Sequence, residues 1–368
     1  MPMIRARSPR AAALAALALA CALSAPRADV TIQETTKFDG FGESGMMGSE
    51  GTSVLVISAD KSRMEGTSKP TGKLMKHFGG EEGFKSAQIF RLDRKVIYAV
   101  SYNDKSYQEL PFDLFKQSQQ AMADAMAQAQ APQDGAKSGP QGPPPVTCDP
   151  VKFAAKNTGE KQSIGGFDAT HVVVTGDQQC HNTQDEKKTC HVVYTADYWQ
   201  APLTGPLKEA RDYMIRQAAA MGMDPESAKQ MAQAAKGLMS QFAEGLEGVG
   251  KELARSPGYP VRSRLQIEKG GDCGLMDSGD GSEQGNAGAA MKQAFKGLFG
   301  KKKSDDSSDK PSGAAKGSEG AAGAMKKVFG TTTEVTSVTT SPAPADAFEP
   351  PAGFKKKDPP KLPKPANG

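Results

Sequence analysis

The sequence predicts an α+β protein, an antiparallel β-sheet with amphipathic helices docked against it. Three observations lead there. Tyr259–Glu268 alternates without a break: Tyr259, Val261, Ser263, Leu265 and Ile267 face one way, and Arg262, Arg264, Gln266 and Glu268 the other. Such alternation marks a strand with one buried and one wet face. Met231, Ala235, Leu238, Phe242, Leu246, Val249 and Leu253 recur in steps of three and four, the stripe of an amphipathic helix. Short apolar runs separated by turn residues fill 29–112, as in an antiparallel meander.

Taken in order, residues 1–28 read as an export signal. Arg5, Arg7 and Arg10 precede the uncharged run AAALAALALACALSA, and small residues lead to a cleavage point near Ala28. The run is short of the roughly 20 apolar residues that span a bilayer, so no transmembrane segment is expected after cleavage. Cys21 is a poor lipidation site, with no aliphatic residue three positions before it. In the mature chain, Val54–Ile57, Ile89–Leu92 and Val96–Val100 are strand-like, with turns at Asp93-Arg94 and Asn103-Asp104. A helix is expected near 113–131, followed by a Pro/Gly linker-like loop over 132–146. His171–Val174 and Cys190–Trp199 form the next pair of strands, joined through the hydrophilic stretch DQQCHNTQDEKKTC.

Two helices follow. One spans 206–221, with Leu207, Ala210, Met214, Ala218 and Met221 on its apolar face. The other spans 225–254 and opens at Asp224-Pro225, an N-cap followed by proline. Gly237, Gly245, Gly248 and Gly250 each cost about 1 kcal/mol relative to alanine, so this helix needs a surface to dock on. Residues 274–330 read as a disordered low-complexity insertion, Thr331–Thr340 as a final strand, and 355–368 as a basic, proline-rich tail. The folded body is therefore 29–273 plus 331–354.

Charge excludes one class of partner. The chain carries 46 bases, 42 acids and a net charge of +4. All four arginines of residues 1–28 leave with the signal, so the mature chain balances 42 against 42. No basic face with interleaved aromatics exists for nucleic acid. The basic concentration lies at the end, in FKKKDPPKLPKPANG.

Four cysteines remain after cleavage, Cys148, Cys180, Cys190 and Cys273, an even number suited to disulfides in an exported chain. Of three pairings, 180–190 with 148–273 is expected, because Cys180 and Cys190 bracket the hairpin tip. Each hairpin cysteine precedes a histidine, His181 or His191, which also suggests a Cys2His2 zinc site. Neighbouring residues on a strand point to opposite faces, so no metal site is expected. Catalytic motifs are scarce. His171 reads as a strand-face residue, and Gly40-Phe41-Gly42-Glu43-Ser44-Gly45 lacks the helix a dinucleotide site needs. DSGDGSE (277–283) puts glycine where a calcium loop needs carboxylates. No enzyme and no cofactor are expected.

Several phrases resemble a group of exported bacterial proteins of unknown function related to the periplasmic lipoprotein-carrier and lipoprotein-sorting (LolA-like) proteins. They are Lys61-Ser62-Arg63-Met64-Glu65, Arg91-Leu92-Asp93, Lys105-Ser106-Tyr107, Gly166-Phe167-Asp168-Ala169, Tyr198-Trp199, Gly258-Tyr259-Pro260-Val261 and Phe348–Phe354. The resemblance implies a curved open half-barrel whose helices cover an apolar cavity, and carriers of that group hold acyl chains there. The expected function is a non-enzymatic periplasmic or secreted binding or carrier-like protein for a lipid or other apolar ligand. Met214, Met221, Met231, Leu238, Phe242, Leu246 and Trp199 are its cavity candidates, methionines supplying an adaptable lining. The alternative is a structural or interaction protein of the envelope, meeting a partner through residues 274–368.

Overall fold

The computed structural model describes residues 29–41, 48–72, 83–118, 120–121, 146–222, 242–255, 257–275 and 325–359. Among them, thirteen strands form one large sheet that does not close. In chain order these are β1 (Val30–Phe41), β2 (Ser49–Ser58), β3 (Lys61–Pro70), β4 (Phe84–Arg91), β5 (Val96–Ser101), β6 (Ser106–Pro111), β7 (Val146–Cys148), β8 (Lys152–Ile164), β9 (Phe167–Asn182), β10 (Thr189–Ala201), β11 (Tyr259–Gly271), β12 (Lys326–Thr340) and β13 (Lys355–Lys357). Three helices accompany them: α1 (112–118), α2 (Gly205–Ala220) and α3 (Ala243–Ala254). The fold is α+β and mostly β.

The strand order is β13-β6-β5-β4-β3-β2-β1-β12-β11-β10-β9-β7, with β8 also on β9. Two meanders, β1–β6 and β8–β11, are joined where β12 pairs antiparallel with both β1 and β11. Every pairing is antiparallel except β13, which lies parallel to β6. The expected final strand begins earlier than Thr331, because Lys326–Gly330 already pair with β11 and β1 and so leave the insertion. The basic tail likewise yields its first three residues to β13, where backbone pairing with β6 needs no apolar side chain.

The register puts matching rows on one face. One row reads Val30, Ile57, Ser62, Phe90, Ile97 and Leu110 across β1–β6. Helices cover this row. Leu207, Ala210 and Tyr213 of α2 are wholly buried against Val30, Ile32, Ile57 and Val261. Phe112, Phe115 and Met221 pack on Phe90 and Ile97. The alternation Tyr259, Val261, Ile267 holds as expected, all three buried. On the same face α3 lies over β9 and β10, with Phe242 and Val249 buried against Tyr194 and Val192.

The α2 stripe differs from expectation. It runs Leu207, Ala210, Tyr213, Met221, and Met214 stands 39% exposed. Turning the helix by one position buries the Tyr213 ring in place of a methionine, and an aromatic ring removes more surface from water. The Tyr213 hydroxyl makes no well-aligned hydrogen bond beside its neighbour Ser62, and burial pushes its pKa up to about 12.

The opposite face of β2–β6 is covered by the chain itself. After β12, Ser341 and Ala343 donate to the carbonyl and carboxylate of Asp29 (3.1 and 2.6 Å). Residues 341–354 then cross the sheet and seat Phe348, Ala343, Ala347 and Phe354 on Ala87, Ile89, Val96, Tyr98 and Val100. Arg91, only 4% exposed, fixes the crossing. Its guanidinium donates to both oxygens of Asp93 (2.9 and 2.8 Å), to the Glu349 carboxylate and to the Phe348 carbonyl. A planar fork suits this geometry, and the two carboxylates, Asp93 foremost, raise the Arg91 pKa further.

Candidate functional site

Moving along β1–β4 on the helix-bearing face, the rows change character. The row after Val30 is Ile32, Leu55, Met64, Gln88; the next is Glu34, Ser53, Gly66, Ser86; the next is Thr36, Gly51, Ser68, Phe84. Aliphatic side chains thus give way to glycines and hydroxyls. A hollow of about 270 Å³ opens there, its lining including Thr36, Gly51, Ser53, Gly66, Ser68 and Phe84. Phe84 and Met64 stand 39% and 44% exposed beside it. Gly51 is required by strand approach, since a Cβ there would lie 2.1 Å from the Thr67 carbonyl oxygen. Gly66 has no such reason: a Cβ there would meet only the Thr52 carbonyl oxygen, at an ordinary 3.5 Å.

Glu34 stands at the rim of the hollow. It is half-buried, and burial raises its pKa, with the Ser53 hydroxyl (3.4 Å) pulling the other way. Burial, with the Glu34 charge behind it, also pushes the neighbouring Tyr259 phenol up to about 12.

A second cluster forms on the other side of β9 and β10. The β8 register slips between Asn157 and Lys161. Gly159 (φ +78°) and the Asn157 side chain, bonded to the Gly159 amide (3.0 Å), shape the resulting bulge. Bulges re-aim side chains, and this one brings Glu160 to His171 Nδ1 at 3.1 Å. Asp197 lies 3.4 Å from Nε2, and the ring stacks on Trp199 at 4.6 Å, 8° from parallel. The strand-face placement expected of His171 holds, and two carboxylates join it. Neither hollow on the described surface includes it.

The disulfides differ from the expected pairing: Cys148 joins Cys180, and Cys190 joins Cys273. Cys180 and Cys190 do face each other in the β9–β10 register. Each, however, also has a cysteine on its outer flank. β7 places Cys148 opposite Cys180, and Gly271, opposite Cys190, carries the chain to Cys273 two residues on. All four sulfurs belong to the cluster under α3. His191 alternates to the other side and pairs with Asp177 at 2.6 Å, which separates the residues of the zinc alternative. Among the described residues no group of three or more His, Cys, Asp or Glu side chains is placed to hold a metal ion.

The described cavity candidates occupy separate places. Met221 lies with Phe90 and Phe112, Phe242 and Leu246 lie with Tyr194, Met214 faces solvent, and Trp199 stacks on His171. Met231 and Leu238 lie outside the described residues, as do residues 277–283 and most of the glycine-rich stretch after Phe41. Sequence reasoning did not single out Glu34, Ser53, Gly66 or Phe84. Their signal was an alternation of small and hydroxyl residues, Ser49-x-Gly51-x-Ser53 and Gly66-x-Ser68, which lacks the apolar period that marks a strand face.

Fold and site together define an α+β protein with a large open sheet, helices on one face and a chain crossing on the other. No protein-family model matches the chain, and no curated protein does.

Proposed function

We propose that the protein is an exported, non-enzymatic binding or carrier-like protein that holds an apolar ligand on the helix-bearing face of its sheet. One observation carries this reading: among the described residues helices cover that face at one end of β1–β4 and not at the other, where Met64 and Phe84 are 44% and 39% exposed beside a floor of glycine and hydroxyl residues. Pockets for small ligands are mainly apolar with a few polar groups. Open twisted sheets of more than about ten strands curl, which supports the half-barrel shape that the resemblance implies. Two disulfides support an oxidising compartment such as the periplasm. His171, with both ring nitrogens at carboxylates and one face on Trp199, acts as a clasp between β8 and β10.

The test is ligand extraction and native mass spectrometry of protein purified from the periplasm, together with uptake of N-phenyl-1-naphthylamine. A co-purifying apolar molecule and probe uptake weakened about tenfold by Gly66→Leu are expected, since leucine there enters the hollow. Ligand-free protein with no uptake would refute the reading. The second reading, an envelope interaction protein, is favoured by the exposed Lys355, Lys356 and Lys357 on the sheet edge. It expects a partner captured by the full chain and lost when residues 358–368 are removed.

A further inference from the structure

We infer that the ligand is cationic, an apolar chain ending in an amine or ammonium group that sits against Glu34. This rests on the binding site proposed above and adds the chemistry of its head group.

Of the described acids near this region, Glu50 lines the hollow but stands exposed to water, and three others have bases of their own. Asp39 pairs with Lys327 (2.7 Å), Glu65 with Arg63 and Lys85 (both 2.8 Å), and Glu334 with Arg262 (2.7 Å). Among the described residues, Glu34 has only the Ser53 hydroxyl, at 3.4 Å. Ser53 is itself part of the hollow's lining, so the carboxylate and the open floor are contiguous.

The described residues of the same face offer no internal cation. From Ile32 to Phe38 the rows across β1–β4 hold Leu55, Met64, Gln88, Ser53, Gly66, Ser86, Gly51, Ser68, Phe84 and Ser49. On β12 and β11 the adjoining positions are Val335, Thr333, Val261 and Ser263. No lysine or arginine stands among them. On α2, the nearest helix, Lys208 pairs with Asp212 (2.5 Å) and Arg216 donates to the Ala59 carbonyl (3.0 Å). A half-buried carboxylate with one weak donor has lost water without gaining a counter-charge. A ligand whose apolar part lies over Met64 and the glycine floor, and whose positive end reaches Glu34, supplies that counter-charge. The Ser53, Ser68, Ser86 and Thr36 hydroxyls can accept or donate around such a head group.

The experiment compares three probes of one chain length, decylammonium, decanol and decanoate, by displacement of N-phenyl-1-naphthylamine from the full mature protein at pH 8. Decylammonium is expected to bind about tenfold tighter than decanol, and decanoate more weakly than either, as a partly screened charge pair near a protein surface gives. Glu34→Gln, which keeps shape and hydrogen bonding, should bring the ammonium-to-alcohol ratio to about one while leaving decanol affinity unchanged. Gly66→Leu should weaken all three together. Equal binding of decylammonium and decanol to the unaltered protein, or a ratio unmoved by Glu34→Gln, overturns the inference and leaves the binding site standing. Failure of all three probes to bind overturns both.

Discussion

Three glycines on one helix test how α3 meets the sheet. Gly245, Gly248 and Gly250 share the same local penalty, so alanine at each should stabilise an isolated helix by about 1 kcal/mol. Their surroundings differ. A Cβ on Gly250 meets nothing within 4 Å, one on Gly245 would lie 2.2 Å from the Tyr194 ring, and one on Gly248 would lie 2.0 Å from the Phe153 ring. Ordinary carbon contacts are about 3.5–4.0 Å, so a ring or the helix must move by well over an ångström. Tyr194 has no room to move, being wholly buried with its hydroxyl bonded to Gln178 at 3.0 Å. Phe153 is partly buried on the edge strand β8 and can swing outward. Overpacking costs about 1–3 kcal/mol. The expected order is Gly250→Ala about 1 kcal/mol above the parent, Gly248→Ala near it, and Gly245→Ala about 2 kcal/mol below it. Urea unfolding at constant m-value measures all three. Equal stabilisation by the three alanines would refute the docking of α3 on β10.

The disulfides and one carboxylate supply the other predictions. Peptide mapping without reduction should recover Cys148 with Cys180 and Cys190 with Cys273, and a 180–190 peptide would contradict the fold. Removing the second bridge, of sequence separation 83, should cost more than removing the first, of separation 32, about 4.5 against 3.7 kcal/mol by loop closure in the unfolded chain. Burial works to raise the Glu65 pKa, but hydrogen bonds from Lys85, Tyr102 and Arg63 outweigh it and bring it to about 2, below its ordinary 4.5. Its contribution is therefore present above pH 4.5 and lost as pH falls toward 2. The urea midpoint gap between the parent and Glu65→Gln should be widest near pH 6 and vanish near pH 2; a gap constant with pH would refute this.

What the sequence shows depends on how strongly a face is buried. β11 and the β9–β10 pair were legible because one side of each is sealed by helices, so Val261, Ile267, Val192 and Tyr194 keep a strict period. β8 was not, since KFAAKNTGEKQSI lies on an edge and is almost entirely exposed. Missing β7 and β8 also explains the disulfides. Without an edge strand beside Cys180, its only visible neighbour is Cys190. β13 escaped for a related reason: three lysines fit an edge that should not recruit further strands, yet read as a solvated tail. The α2 stripe failed by one position because Leu207 and Ala210 fit two registers, and only the Tyr213 pocket decides between them. Glu160 came to His171 through a bulge, and the Asn157-Thr158-Gly159 turn signal preceding it was the available clue.

The open corner of β1–β4 is best understood against the other uncovered surface of the same sheet. Where β9–β11 turn away from the helices, the positions carry Asp177, His191, Asp197, Arg262, Arg264 and Glu268 beside Val173, Val193 and Trp199, a largely charged mixture expected of a surface that stays in water. The corner around Gly66 has the same freedom and does not use it. Its positions are glycine, serine, threonine, methionine and phenylalanine, with Glu34 at one edge. Strand geometry accounts for Gly51 but not for Gly66, and solubility does not account for Met64. A floor of glycine and hydroxyl residues, with Glu50 in its lining and Glu34 at its rim, is costly as bare surface and useful as a contact. That contrast within one sheet, more than the hollow's size, is the reason to look there for the ligand.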